Sequence, residues 1–162
     1  MNNVSKIMKK MIEYFEKDAV RINHALKVYA YAKSIGELEK ISKEEQEALE
    51  ISSILHDIGI KESERKYSSS AGIYQEIEGP PAAREIMAKF NLSEDIKERI
   101  EFLIGNHHTY SKIDGIDFQI LVEADFLVNI FEENIQKEQT EIIEQKYFRT
   151  KTGKSFLNSI YQ

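Results

Sequence analysis

Apolar residues recur along the chain at intervals of three and four, and no stretch of four or more residues alternates apolar with polar, so the pattern predicts an all-α protein. Met8, Met11, Ile12 and Phe15 mark an amphipathic first helix. Asp18 is placed to cap a second, which carries Val20, His24, Val28 and Tyr31 on one stripe, runs to about Ile35 and stops at Gly36. Ser42 and Glu45 have capping-box spacing at the start of a third helix ending at His56 or Asp57. Ala48, Ser52, Leu55 and His56 share one of its faces, and Gly59 offers a left-handed stop.

Residues 61 to 79 lack a clear period and centre on the Ser-rich stretch 68–72, which predicts a substrate loop or lid. Pro80 and Pro81 suit the first turn of a helix running to Phe90, and Ser93 caps another reaching about His107. A polar loop with Gly115 follows. From Asp117 to about Ile135 comes the most hydrophobic helix, with Leu121, Asp125 and Asn129 in line at spacing four. Shorter helices are expected over 138–148 and 154–161, and no internal repeat is visible.

A chain of 162 residues, 41% hydrophobic, with two prolines and seven glycines, fits one compact domain over 1–162. Its motif-bearing core spans about 18–135, with helices of 136–162 packed on it. The absence of cysteine excludes disulfides, thiolate zinc sites and cysteine nucleophiles, so any metal must be held by nitrogen and oxygen. A net charge of −6 argues against extended nucleic-acid binding, while leaving small phosphorylated ligands open. The acids concentrate on candidate outer faces: Glu44, Glu45, Glu47, Glu50; Glu94, Asp95, Glu98; Glu132, Glu133, Glu138, Glu141 and Glu144. With no signal-like start and no segment of membrane-spanning character, a cytoplasmic protein is expected, and a homodimer is compatible with the sequence.

The polar residues set into apolar helices carry the chemistry. His24, His56, Asp57 and Asp125 each lie in hydrophobic surroundings, where an unpaired charge would be strongly unfavourable. A divalent cation bound by three separate helices is the simplest counter-ion that also accounts for the histidines.

Taken in order, Arg21-x-x-His24, the apolar run into His56-Asp57-Ile58-Gly59, His107-His108 and Ala124-Asp125 resemble the HD-domain superfamily of metal-dependent phosphohydrolases, over roughly residues 20 to 130. The segment from Tyr74 to Pro80 resembles a bacterial subgroup of it. The resemblance implies a compact helical bundle and metal ligation by His24, His56, Asp57 and Asp125, with Mn, Fe, Co, Ni, Zn or Mg as the candidate ion. Relatives with two metals carry two further histidines. Here Gln75 departs from the first of these, beside Glu76 and Glu78, and His107 or His108 matches the second. A second ion would therefore draw on His107, His108 and Glu76, although for one of the two histidines a helix C-terminus is reason enough.

Lys61, Arg65 and Lys66 resemble phosphate-contacting positions, Arg21 lies one turn before His24 where its bidentate fork could reach a metal-bound phosphate, and Asn129 is placed to orient Asp125 or its water. Asp57 and Glu78 are candidates for accepting a proton, and Lys61 is counted with them as catalytic. The implied reaction is hydrolysis of a phosphomonoester or nucleotide-like small molecule by metal-activated water. The alternatives are a di-iron oxygenase of the same fold, or a catalytically silent nucleotide-binding or sensor domain.

Overall fold

The computed structural model describes residues 2–162. Among them it forms nine α-helices and one short 3-10 turn, with no strand, as the all-α pattern predicts. The helices are α1 (Asn3–Phe15), α2 (Ala19–Glu39), α3 (Lys43–Leu55), α4 (Ile60–Tyr67), α5 (Gly72–Met87), α6 (Glu94–Asn106), α7 (Ile116–Glu132), α8 (Lys137–Tyr147) and α9 (Lys151–Tyr161). No helix among the described residues is long and apolar enough to cross a membrane.

The hub is α3. Its first turn is exposed and closed by the expected capping box, Ser42 Oγ accepting from Glu45 N at 3.2 Å and Glu45 Oε2 from Ser42 N at 3.0 Å. From Ala48 to Leu55 every residue is buried, so this half of the helix has neighbours on all sides. Ile51, Ile54 and Leu55 join Ile7, Met11, Met87 and Ile100 in one core, while Leu49 joins Val28, Ile35, Phe118, Leu121 and Leu157 in a second. The C-terminus of α3 therefore delivers His56 and Asp57 into the middle of the domain.

Several helix boundaries differ from expectation for identifiable reasons. The α1 stripe is Val4, Ile7, Met11 and Phe15, with Ile12 turned outward. Gly36 does not stop α2, which continues to Glu39 and ends on Lys40 in the left-handed region. It is buried because α3 crosses there, and a Cβ would run into the Gln46 side chain. Gly59 is likewise no left-handed stop, since its φ is −75°. It lets α4 and α5 touch: an added Cβ would lie 2.6 Å from Gly79 N and 2.7 Å from Gln75 O.

The expected loop over 61–79 is mostly helix, α4 and the first half of α5, joined by residues 68–71. Pro80 and Pro81 stand inside α5 rather than in its first turn. Interior prolines remove two helical hydrogen bonds, at a cost of about 3 kcal/mol or more each. Close packing against α6 offsets this, with Pro80 seated against Gly105, where a Cβ would come within 3.1 Å of its ring.

Glu123 locks the C-terminal helices to the bundle. It is fully buried and accepts from Gln119 Nε2 at 2.6 Å, Arg149 N at 3.0 Å, Thr150 N at 3.1 Å and Thr150 Oγ1 at 2.6 Å. Burial still holds its carboxyl above the ordinary value despite these four donors.

Candidate metal centre

Three helices converge on one point. His24 comes from the second turn of α2, His56 and Asp57 from the end of α3, and Asp125 from the middle of α7. His24 Nε2 lies 3.1 Å from His56 Nε2. Asp57 Oδ2 is 3.3 Å from each of these nitrogens. Asp125 Oδ1 is 3.1 Å from His24 Nε2 and 3.5 Å from His56 Nε2. His24, His56 and Asp57 meet the geometric requirement for holding a metal ion.

The outward ring nitrogens fix the inward ones. His56 Nδ1 donates to Ser53 O at 2.7 Å, satisfying a carbonyl that the helix end leaves free. His24 Nδ1 faces the Glu132 carboxylate, with Oε1 at 3.0 Å. Both rings then carry their proton on Nδ1, and each Nε2 presents a lone pair to the other and to two carboxylate oxygens. Four electron-rich atoms with no proton among them repel. Consistent with this, Asp125 Oδ1 is buried and has no hydrogen-bond partner.

A cation resolves the conflict, and the spacing suits one. Ligand atoms about 2.1 Å from a shared ion stand about 3.0 Å apart at neighbouring octahedral positions and about 3.4 Å apart in a tetrahedron. The nitrogen and oxygen donor set, free of sulfur, is suited to first-row divalent ions and magnesium.

Without an ion, protons take the cation's part. Burial opposes charging of the two imidazoles, yet Asp125 holds His24 above its ordinary value and Asp57, with Asp125, holds His56 well above. Burial likewise opposes ionisation of the carboxyls, but His56 and His107 hold Asp57 well below the carboxylate range, and His24 and His56 do the same for Asp125.

A second cluster, Asp57, His107 and His108, adjoins the first. His107 ends α6 as His56 ends α3, donating Nδ1–H to Ile104 O at 2.7 Å. Its buried Nε2 has no hydrogen-bond partner and points at Asp57 Oδ1, 3.5 Å away. His108 is committed elsewhere. Gln75 donates through Nε2 to Ser70 O at 2.6 Å, which leaves its Oε1 to accept from His108 Nε2 at 3.0 Å. Burial and the neighbouring His107 push His108 down to about 4, so it stays neutral.

A cavity of about 220 Å³ opens onto the first cluster, walled by Arg21, His24, Asp57, Gln75, His108, Asp125, Asn129, Glu132 and Glu133, with Val20 at its edge. Arg21 contacts Asp18 at 3.0 Å and the Glu64 carboxylate of α4. Asn129 is on this wall but makes no hydrogen bond to Asp125.

Other candidates lie elsewhere. Lys61 donates to Tyr14 O at 2.9 Å and covers the Tyr14 ring, facing α1. Arg65 pairs with Glu62 at 2.7 Å on the surface of α4. Lys66 and the Tyr67 hydroxyl close over Glu78, each at 3.0 Å, so neither Lys66 nor Glu78 reaches the cavity. Glu76 accepts from Thr109 Oγ1 at 2.8 Å and from His108 N at 3.1 Å, bracing the His107–His108 turn rather than offering itself to an ion.

Of the acids assigned to outer faces, one is buried and another, exposed as a residue, sends its carboxylate inward. Glu50 is buried and accepts from Gln46 Nε2 at 2.8 Å. Glu132 reaches His24, and its place two helical turns beyond Asp125 on α7 is the signal that identifies it in sequence.

The family model of the HD domain matches residues 21–147. A crystal structure described as a predicted HD superfamily hydrolase, from an uncultured Thermotogales bacterium, is similar with a TM-score of 0.69 and 18% identity, over 96% of this chain and 83% of that one. At that identity the likeness speaks to the fold. No curated protein matches the chain.

Proposed function

The chain belongs to the HD-domain superfamily of metal-dependent hydrolases, and on that footing we propose that it hydrolyses a small phosphomonoester or nucleotide-like molecule. The observation that carries the proposal is the convergence of His24 Nε2, His56 Nε2, Asp57 Oδ2 and Asp125 Oδ1, 3.1–3.5 Å apart from nitrogen to oxygen, at the floor of an open cavity. A divalent ion held there would supply Lewis acidity toward a phosphoryl oxygen and lower the pKa of a coordinated water.

The chain's own groups provide the rest. Arg21 is the guanidinium on a wall that also carries four carboxylates, Asp57, Asp125, Glu132 and Glu133, and its planar fork suits two phosphoryl oxygens. In the resting arrangement Asp18 and Glu64 hold that fork at the cavity rim. Asp57 is the candidate proton acceptor, since its Oδ1 faces away from the first cluster toward His107. At about 220 Å³ the cavity fits a phosphate and part of its leaving group, which favours small substrates over polymers. The net charge of −6 fits the same preference.

Oxygen activation by two irons would need a complete second ligand set. Here His108 Nε2 is engaged by Gln75, which favours the hydrolytic reading.

A panel of phosphomonoesters and nucleotides, assayed with Mn, Co, Ni or Mg after chelation, tests the proposal. Turnover restored by metal in the wild type and absent from His56→Ala and Asp57→Ala is expected; full turnover in the chelated protein would overturn it.

A further inference from the structure

We infer that Glu132 is a positioning residue for the metal centre: it fixes the proton of His24 on Nδ1, so that Nε2 meets the ion as a lone pair. The inference rests on the metal-dependent reading of that centre.

The three buried imidazoles obtain their outward acceptors differently. His56 and His107 each sit at a helix end and donate to the carbonyl three residues back, a group the terminus leaves free. His24 lies within α2, where neighbouring carbonyls are engaged by the helix, so its Nδ1–H needs an acceptor from elsewhere. Glu132 supplies it, with Oε1 at 3.0 Å and Oε2 at 3.4 Å.

The carboxylate is placed for this. Glu132 is on the last turn of α7, two turns beyond Asp125, so a single helix presents one oxygen to Nε2 of His24 and another to Nδ1 of the same ring. The residue stands exposed at the helix end, but its side chain, 23% exposed, turns the carboxylate back onto His24. Lys27, one turn after His24 on α2, pairs with the same Oε1 at 3.1 Å and lies over the Phe131 ring. A chain of contacts therefore runs from the surface through Lys27 and Glu132 to the ligand atom. A carboxylate accepting from the outer nitrogen fixes the tautomer and makes the imidazole a better donor to metal, an effect of about 10- to 100-fold in affinity.

The test uses the full chain with Glu132→Ala, Glu132→Gln and Lys27→Met. Dissociation constants for Mn and Co are measured by calorimetry with a competing chelator. Long-range proton–nitrogen spectra of the histidine rings are recorded on metal-free protein at a pH high enough to leave them neutral. His24 should be the Nδ1–H tautomer in the wild type and lose that preference in Glu132→Ala, which should bind metal about 10- to 100-fold more weakly. Glu132→Gln keeps an acceptor oxygen and should restore the tautomer with part of the affinity. Lys27→Met removes a half-exposed ion pair and the contact over the exposed Phe131 ring while leaving the Glu132 carboxylate in place, and should bind within about fivefold of the wild type.

Wild-type affinity in Glu132→Ala would overturn the inference. So would a loss in Lys27→Met equal to that in Glu132→Ala, because the carboxylate would then act by joining α2 to α7. If the wild type binds no ion, the reading of the centre fails, while the ring spectra still decide the Glu132 contact.

Discussion

Removing the ion should change stability in a pH-dependent way whose sign follows from the centre's electrostatics. In metal-free protein, Asp57 and Asp125 are held below the ordinary 3.8, so their contribution is present above that pH and lost as pH falls through their lower folded values. His24 and His56 are held above the ordinary 6.5, so theirs is complete below 6.5 and lost as pH rises through the raised values. Metal-free protein should therefore gain most from this centre between about pH 3.8 and 6.5, and weaken on the alkaline side as the imidazolium protons leave. An ion replaces those protons and needs its ligands deprotonated, so its contribution should grow with pH.

At free metal 100-fold above the dissociation constant, binding adds about 2.7 kcal/mol. For a domain of this size that corresponds to a rise in Tm of about 5–11 °C. Thermal unfolding followed by far-UV circular dichroism, with chelator or with Mn, at about pH 5 and about pH 8, reads this directly. The shift should be near its full size at the higher pH and much smaller at the lower. A shift as large at the lower pH, or an undiminished one in His56→Ala, would refute the reasoning.

Arg21→Ala should raise KM for a phosphomonoester by about 10- to 100-fold with a smaller change in kcat, since it removes a charge-assisted contact made in ground and transition states alike; an unchanged KM would remove Arg21 from the phosphate site. Gly59→Ala should lower stability in urea by about 1–3 kcal/mol, because its Cβ meets the main chain of α5 at 2.6–2.7 Å; an unchanged unfolding midpoint would contradict the close approach of α4 to α5. Lys61→Met should leave turnover intact, because Lys61 serves the Tyr14 carbonyl; a loss of about tenfold or more would return it to the catalytic group.

The four proposed ligands were legible because each breaks an apolar helical face, and a buried carboxylate or imidazole without a partner is costly wherever the helix packs. Closeness along the chain does not carry over to the site. Lys61, Arg65 and Lys66 follow Asp57 closely, yet α4 turns Lys61 toward α1, Arg65 toward the surface and Lys66 toward Glu78 of α5. Local punctuation alone makes the serine-rich stretch look like a loop and the two prolines like a helix start, whereas the α5 contact with α6 carries Pro80 and Pro81 inside a helix. Glycine permits left-handed backbone, which makes Gly36 and Gly59 look like helix stops. In the structure they lack a Cβ because another helix occupies its place. Glu132 was hidden among surface acids, and only its two-turn spacing from Asp125 distinguishes it.

The most direct test of the central claim is the position of a bound ion. Crystals grown with Mn or Co and measured at the metal edge should show an anomalous peak among His24 Nε2, His56 Nε2, Asp57 Oδ2 and Asp125 Oδ1. Folded, metal-responsive protein with no peak there, or with its only ion bound elsewhere, would contradict the account.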